Sequence, residues 1–366
     1  MNNLRELLNK LRFPLNVIKL IFFLYLFMFS LELMGTSLKM FGKDFALTLI
    51  QTTTNPVVGL FIGILATSLI QSSSSTTSIV VGMVGGGALT VPNAIPIIMG
   101  ANIGTSVTNS IVSLSQINRT TEFRRAFAAA TVHDFFNVLS VIVIFPIQYF
   151  TNYLGILADF LGKEFQLIGG LQFLSPVKLL TKPLANLLIE QIGNHAWILF
   201  FLSLVLLLLS LKQMVDALKI LVVKRAEAWF DRYLFKTAIR SFVVGLLLTF
   251  MVQSSSITTS LVVPMAGAGL LTLKQIFPYT LGANIGTTIT AILAALVTQN
   301  LSAIVVAFSH LFFNISGIII WWPLNFIPIR IAKEFANMAT KNRMIPIIYV
   351  IISFFIIPIT IIYFLK

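Results

Sequence analysis

Two stretches of this chain carry side chains able to hold ions, and they carry nearly the same ones. Gln71 precedes Ser72, Ser73 and Ser74, and Gln253 precedes Ser254, Ser255 and Ser256. Downstream, Asn102, Thr105 and Thr108 stand at the same spacing as Asn284, Thr287 and Thr290. Gln and Asn offer hard carbonyl oxygens to a small cation, whereas Ser and Thr hydroxyls can coordinate a cation or donate to an anion. A helix that starts at such a serine run presents N–H groups and a positive dipole end, which suit an oxyanion. Carbonyls freed by unwinding suit sodium. Residues 63–118 contain no charged side chain, and 241–329 contain only Lys274, placed at a hairpin tip. An anion held here therefore needs bound cations to balance its charge, and it binds well only after they arrive. For one serine run, close helix packing in lipid is the plain reading. Two copies, each with an Asn-Ile-Gly-Thr element, favour a site.

The surroundings of these residues are apolar. Of 366 residues 57% are hydrophobic and 10% charged, and the mean hydropathy is +0.95. That balance leaves too little polar surface for a soluble domain. Runs at 17–34, 196–211, 304–323 and 345–365 are each about long enough to cross hydrocarbon as helices. The first comes after Arg5, Lys10 and Arg12 without a small-residue cleavage site, and is expected to be a retained helix rather than a signal peptide. The formal charge of +13 lies in short segments between apolar runs, which argues against nucleic acid and for membrane loops. With no cysteine there is no disulfide or thiolate chemistry, and His133, His195 and His310 are too scattered for a clear metal site.

An internal repeat organises the chain. Shifting by 182 positions lays residues 71–108 over 253–290 without a gap, with 22 of 38 positions identical. His133, Phe135, Phe136, Asn137 and Pro146 align with His310, Phe312, Phe313, Asn314 and Pro323 at an offset of 177. Each half should thus hold a broken motif region and one ordinary spanning helix, with 17–34 corresponding to 196–211. Pro92, Pro96, Pro264 and Pro278, with the glycines at 85–87 and 267–269, are expected to break the motif regions into short helices and hairpins. Charge orients the halves. Arg119, Arg124 and Arg125 come after the first motif, whereas 297–303 is uncharged; the next loops reverse the bias, with Arg330, Lys333, Lys341 and Arg343 in the second half. Equivalent loops prefer opposite sides, as expected of an inverted-topology repeat. The expectation is an all-α polytopic membrane protein whose two inverted repeats meet, through broken helices or re-entrant hairpins, at a central site. Its parts are a cytoplasmic or interfacial segment 1–16, repeat 1 over 17–147, an outer connecting loop 148–195, repeat 2 over 196–329, and a cytoplasmic loop and final helix over 330–366. Within repeat 2 the basic segment 212–240 reads as an interfacial amphipathic helix. With the N-terminus inside, 17 of the 25 basic residues fall in four cytoplasmic segments.

The motifs resemble the type II sodium-dependent phosphate cotransporter family. The likeness rests on Q-S-S-S-S-T-T-S at 71–78, P-I-I-M-G-A-N-I-G-T-S-V-T-N at 96–109 and E-F-R-R-A-F-A-A-A-T-V-H-D-F-F-N at 122–137. In the second half it rests on Q-S-S-S at 253, G-A-N-I-G-T-T at 282 and H-L-F-F-N-I-S-G-I at 310–318. The resemblance implies a phosphate site at Ser72–Ser74 and Ser254–Ser256, and a sodium site at Gln253, Ser254, Thr287 and Thr290. Gln71 and Asn102 would help bind cations, with Thr105 and Thr108 added by repeat symmetry. Implied ligands are inorganic phosphate and co-transported sodium, with no other cofactor and no enzymatic activity. Implied surroundings are plasma-membrane lipid, in the inner membrane for a bacterial cell, and a homodimer is left open. Vertebrate members carry a large glycosylated, disulfide-bonded outer loop where 148–195 is short and cysteine-free, and they continue past the position of Lys366. These departures leave the motifs untouched and fit a bacterial-type member.

Other polar residues receive plainer readings. Asp134 is expected near the cytoplasmic end of its helix, paired with Arg124 or Arg125, rather than in an ion relay. His310 should hydrogen-bond a neighbouring helix, Glu32 should lie at an interface, and Trp197, Trp321, Trp322 and Tyr363 should anchor in the aromatic belt. An intramembrane serine hydrolase would need one nucleophile in a G-x-S-x-G elbow, which is lacking around the serine runs. A sodium-coupled carrier of another oxyanion and a sodium-independent anion channel remain as alternatives.

Overall fold

A computed structural model describes residues 2–167, 175–193, 195–218 and 235–365. Every regular element among them is a helix. Seven of these helices are long and apolar enough to cross a membrane, among them Leu15–Met40, Ala196–Met214 and Met344–Leu365. Those three are only 33%, 33% and 17% buried, whereas Val91–Leu114, Thr120–Thr151 and Leu273–Thr298 are 72–78% buried, so the motif-bearing helices are central and the others peripheral. Large apolar side chains such as Phe150, Ile239 and Phe364 lie exposed on the outside, the arrangement that lipid as a solvent favours.

Each half builds a helical hairpin. Pro56–Ile70 turns into Ser73–Gly85, and Ala238–Val252 turns into Ser255–Gly267. At about 1.5 Å per residue these 13- and 15-residue helices reach only about 20–23 Å, short of a ~30 Å hydrocarbon core. Neither helix of a hairpin is therefore long enough to cross on its own. The outer walls of the hairpins are held by glycine. A Cβ on Gly63 would stand 1.9 Å from the Ile97 carbonyl oxygen, and one on Gly100 would stand 1.9 Å from that of Leu60. The repeat-equivalent Gly245 and Gly282 press just as closely on Tyr279 and Phe242. Backbone thus lies on backbone, the contact that small residues permit between membrane helices.

Several sequence expectations need correction. Pro92 opens Val91–Thr105, while Pro96, Pro264 and Pro278 lie inside helices, so the prolines do not make the breaks. Turns at Gly86–Gly87 and Ala268–Gly269 do, because Gly87 and Gly269 adopt left-handed φ of +80° and +78°. The halves also differ: the first is interrupted at Ser106, between Val91–Thr105 and Val107–Leu114, whereas Leu273–Thr298 runs unbroken through Asn284, Thr287 and Thr290. The segment 148–195 contains the helices Tyr153–Leu167 and Ser175–Ile192, with 168–174 outside the described residues. Most of the basic segment 212–240 is likewise outside them. Trp321 is only 7% exposed, packed in the core rather than at a surface belt, because helix Leu301–Trp321 ends against the second hairpin cluster.

The glycine crossings can be tested by substitution. Gly282→Val should abolish the close crossing of Ala238–Val252 with Leu273–Thr298 and lower the melting temperature in detergent by many degrees, because the added atoms meet backbone and not a movable side chain. Wild-type melting of the Val variant would show that this crossing is not a constraint.

Candidate central ion site

The two Gln-Ser breaks are built alike. Gln71 ends its helix in the left-handed region at φ 56°, with its N–H donating to the Thr67 carbonyl at 2.7 Å. Ser72 is extended and caps the next helix, its hydroxyl accepting from the Ser75 N–H at 3.2 Å. Gln253, at φ 54°, donates to Thr249 at 2.6 Å, and extended Ser254 accepts from the Ile257 N–H at 3.4 Å. A glutamine held left-handed costs about 1–2 kcal/mol relative to ordinary backbone. Finding it twice, at equivalent positions, marks the geometry as one the rest of the fold enforces.

The breaks meet. The Ser74 hydroxyl donates to the Gln253 main-chain carbonyl at 2.9 Å, joining the first motif to the second. Between them lies a cavity of about 580 Å³. Gln71, Ser72, Ser74, Gln253, Ser254 and Ser256 line it, together with Thr108, whose buried hydroxyl has no hydrogen-bond partner. Two helix starts, Ser73–Gly85 and Ser255–Gly267, open onto this space with first-turn N–H groups that have no intrahelical acceptor. Lys212 and Asp216 also line the cavity, from helix Ala196–Leu218. Sequence reasoning missed them because that helix lies outside the strong repeat. The one signal was a basic and an acidic residue four apart, on one face, ending an otherwise apolar run. Lys274, by contrast, is exposed in the first turn of its helix and does not line the cavity.

The remaining candidates lie behind the cavity. Ser73, Ser255, Asn102, Thr105, Asn284, Thr287 and Thr290 are all buried without lining it. Thr105 and Thr287 donate to the carbonyls of Ala101 and Ala283, one turn back on their own helices. The two asparagines instead reach across the repeat. His133 of the first half bonds the Asn284 side chain of the second at 2.7 Å, through Nε2 and Oδ1. His310 of the second half approaches Asn102 Oδ1 of the first at 3.4 Å, which meets the expectation for His310. Each half thus completes the other. The pairs are not equal: His133 Nδ1 also meets the Asn109 amide at 3.4 Å, while His310 Nδ1 has no partner. Asn109 further accepts from Thr259 and Ser260 of the opposite half at 3.0 and 3.1 Å. At the repeat-equivalent position stands Ala291, which can offer nothing.

Asp134 departs from its expected placement. It is fully buried, far from Arg124 and Arg125, and takes hydrogen bonds from the hydroxyls of Ser106, Ser110 and Tyr349. Helix Thr120–Thr151 begins 14 residues before it, about 21 Å along the axis, so it sits deep rather than at an end. A buried carboxylate needs such donors, and these come from the Ser106 break itself, from helix Val107–Leu114 just after it and from helix Met344–Ile351.

With this geometry established, comparison with known proteins is decisive. A family model described as Na+/Pi-cotransporter matches residues 26–165 and 206–320, so both halves are covered and the gap falls between them. The chain belongs to this family. It is 37% identical to sodium-dependent phosphate transport protein 2B of Homo sapiens, over 94% of this chain and 64% of that protein. It is 36% identical to sodium-dependent phosphate transport protein 2A of Mus musculus, over 92% of this chain and 65% of that protein. The chain therefore spans just under two thirds of the length of these relatives. No solved structure matches it.

The cross-repeat pairs should be measurable as coupling. In a double-mutant cycle on thermal unfolding, His133→Phe and Asn284→Leu should couple by about 0.6–1.7 kcal/mol, the range for hydrogen bonds between membrane helices. Additive effects within error would mean that the pair contributes no interaction of its own.

Proposed function

We propose that this chain is a secondary transporter that couples inward movement of inorganic phosphate to a sodium gradient across the plasma membrane, with its N-terminus cytoplasmic. The function named for its relatives, sodium-dependent phosphate transport, points the same way. The observation that carries the reading is the meeting of two capped helix starts and two left-handed glutamines at one cavity.

The division of labour follows from chemistry. Phosphate sits between the two serine runs, where the hydroxyls of Ser72, Ser74, Ser254 and Ser256 line the cavity and the first-turn N–H groups and dipoles of both helices are favourable, Ser73 and Ser255 lying behind it. Lys212 adds a positive partner, but Asp216 beside it returns the lining charge to zero. The charge of the anion is balanced by sodium. Gln71, Thr108, Gln253 and Ser254 offer oxygens directly at the cavity. Thr105, Thr287, Thr290, Asn102 and Asn284 become ligands when their helices shift, and the two asparagines then share their oxygens with His310 and His133. Ordered binding results: sodium first, then the anion. The inverted relation of the halves, inferred from loop charge, supplies alternating access by rocking one half against the other.

Radiolabelled phosphate uptake into proteoliposomes tests the coupling. Uptake should rise steeply with an inward sodium gradient and fall to the leak rate when choline replaces sodium. Sodium-indifferent flux would instead indicate a channel, and competition by sulfate as strong as by phosphate would indicate a broader oxyanion carrier. Gln253→Ala should raise the sodium concentration for half-maximal uptake about tenfold or more, equivalent to ~1.4 kcal/mol of lost binding. The exposed Lys341→Ala should change it less than about twofold. Equal effects would remove Gln253 from the sodium site.

A further inference from the structure

A second cavity, of about 420 Å³, opens where helix Thr120–Thr151 meets Phe326–Lys341 and the glycine tip of the second hairpin. Arg124, Arg125 and Lys333 line it, and none of its lining residues is acidic. No salt bridge engages these three cations among the described residues. Glu122, the carboxylate nearest the arginines in sequence, is held by Arg119 at 3.0 Å, and Glu334 lines a different cavity with Arg330. Three like charges gathered without a counter-charge repel one another, and an anion relieves that repulsion.

The backbone adds to the field. The Arg125 guanidinium lies against Gly269, where a Cβ would stand 2.6 Å from Nη1. Just beyond, Thr272 and Gln275 form a capping box at the start of the 26-residue helix Leu273–Thr298. Leu271, Thr272 and Leu273 face the cavity, so the positive end of that helix points the same way as the cations. The hairpin helix Ser255–Gly267 has its first turn at the central cavity and ends near this one, 13 residues or about 20 Å away. The two cavities are therefore separate, and that helix is what connects them.

We propose that the Arg124–Arg125–Lys333 cavity is a second anion site, selective for a phosphate-type dianion, either free inorganic phosphate or the phosphomonoester headgroup of a lipid. Guanidinium groups match such an anion through paired N–H donors, and Lys333 adds a point charge from the facing helix. An anion bound there would tie the hairpin tip to helix Phe326–Lys341.

The test uses the full-length protein in detergent with choline in place of sodium. One arm measures inorganic [32P]phosphate by equilibrium dialysis. The other measures retention of phosphatidic acid against phosphatidylcholine by native mass spectrometry. Phosphate binding identifies a free-anion site, and retention of phosphatidic acid without phosphate binding identifies a lipid site. In either case R125Q/K333Q should weaken binding at least about tenfold, with R119Q unchanged. Should the double variant fail to fold, the exposed Arg124→Gln alone should still weaken binding about threefold. Failure of both probes to bind, or binding unaffected by these substitutions, would overturn the proposal.

Discussion

A helix interrupted inside hydrocarbon exposes main-chain groups that no water can satisfy, and this constraint shapes the rest of the molecule. Such a break persists only where protein or a cavity receives the freed groups. Here the first break receives a group freed by the second. Gln71 and Gln253 turn left-handed, Ser72 and Ser254 cap the helices that start there, and the freed Gln253 carbonyl is taken by Ser74. At that point one half completes the hydrogen bonding of the other. The glycine contacts at Gly100 and Gly282 serve the same end by holding each break against its own supporting helix.

The same crosswise logic governs the layer behind the cavity. Asn102 and Asn284, each central to its motif, are held by histidines of the opposite half. A ligand that engages either asparagine oxygen shares it with an imidazole of the opposite half, so occupancy and the packing of the halves are linked. The link is uneven, since Asn109 supports His133 while Ala291 leaves His310 Nδ1 without a partner. The first half is also broken at Ser106, with Asp134 gathering the hydroxyls around that break, whereas the second half runs unbroken.

Much of this was legible in the residues. Gln71, Ser72, Gln253 and Ser254 stood out because polar groups are costly in an apolar chain, and repeating them at a fixed offset makes sense where they bind something. The family is legible in the same motifs. What escaped was whatever depends on depth or on contact between distant segments. Asp134 looked interfacial because the helix start at Thr120 is not marked by a sharp hydropathy change. Lys212 and Asp216 join the cavity through packing of a helix that the repeat does not label. Prolines suggested breaks that glycines and left-handed glutamines make instead, since proline at a helix start or in a tolerant membrane helix need not end it. Trp321 carried the signature of a belt residue and lies in the core.

The proposed coupling requires an anion and its balancing cations to share the cavity between the two breaks. The chain has no cysteine, so a single Ile257→Cys substitution, at an apolar side chain that lines the cavity and is assigned no ion, places one reporter thiol on the cavity wall. Its rate of modification by a small methanethiosulfonate reagent in proteoliposomes is the most direct measurement. Phosphate should slow the labelling at least about fivefold with sodium present and leave it unchanged in choline. Protection by phosphate that is the same with and without sodium, or labelling that neither ion affects, would contradict the shared site.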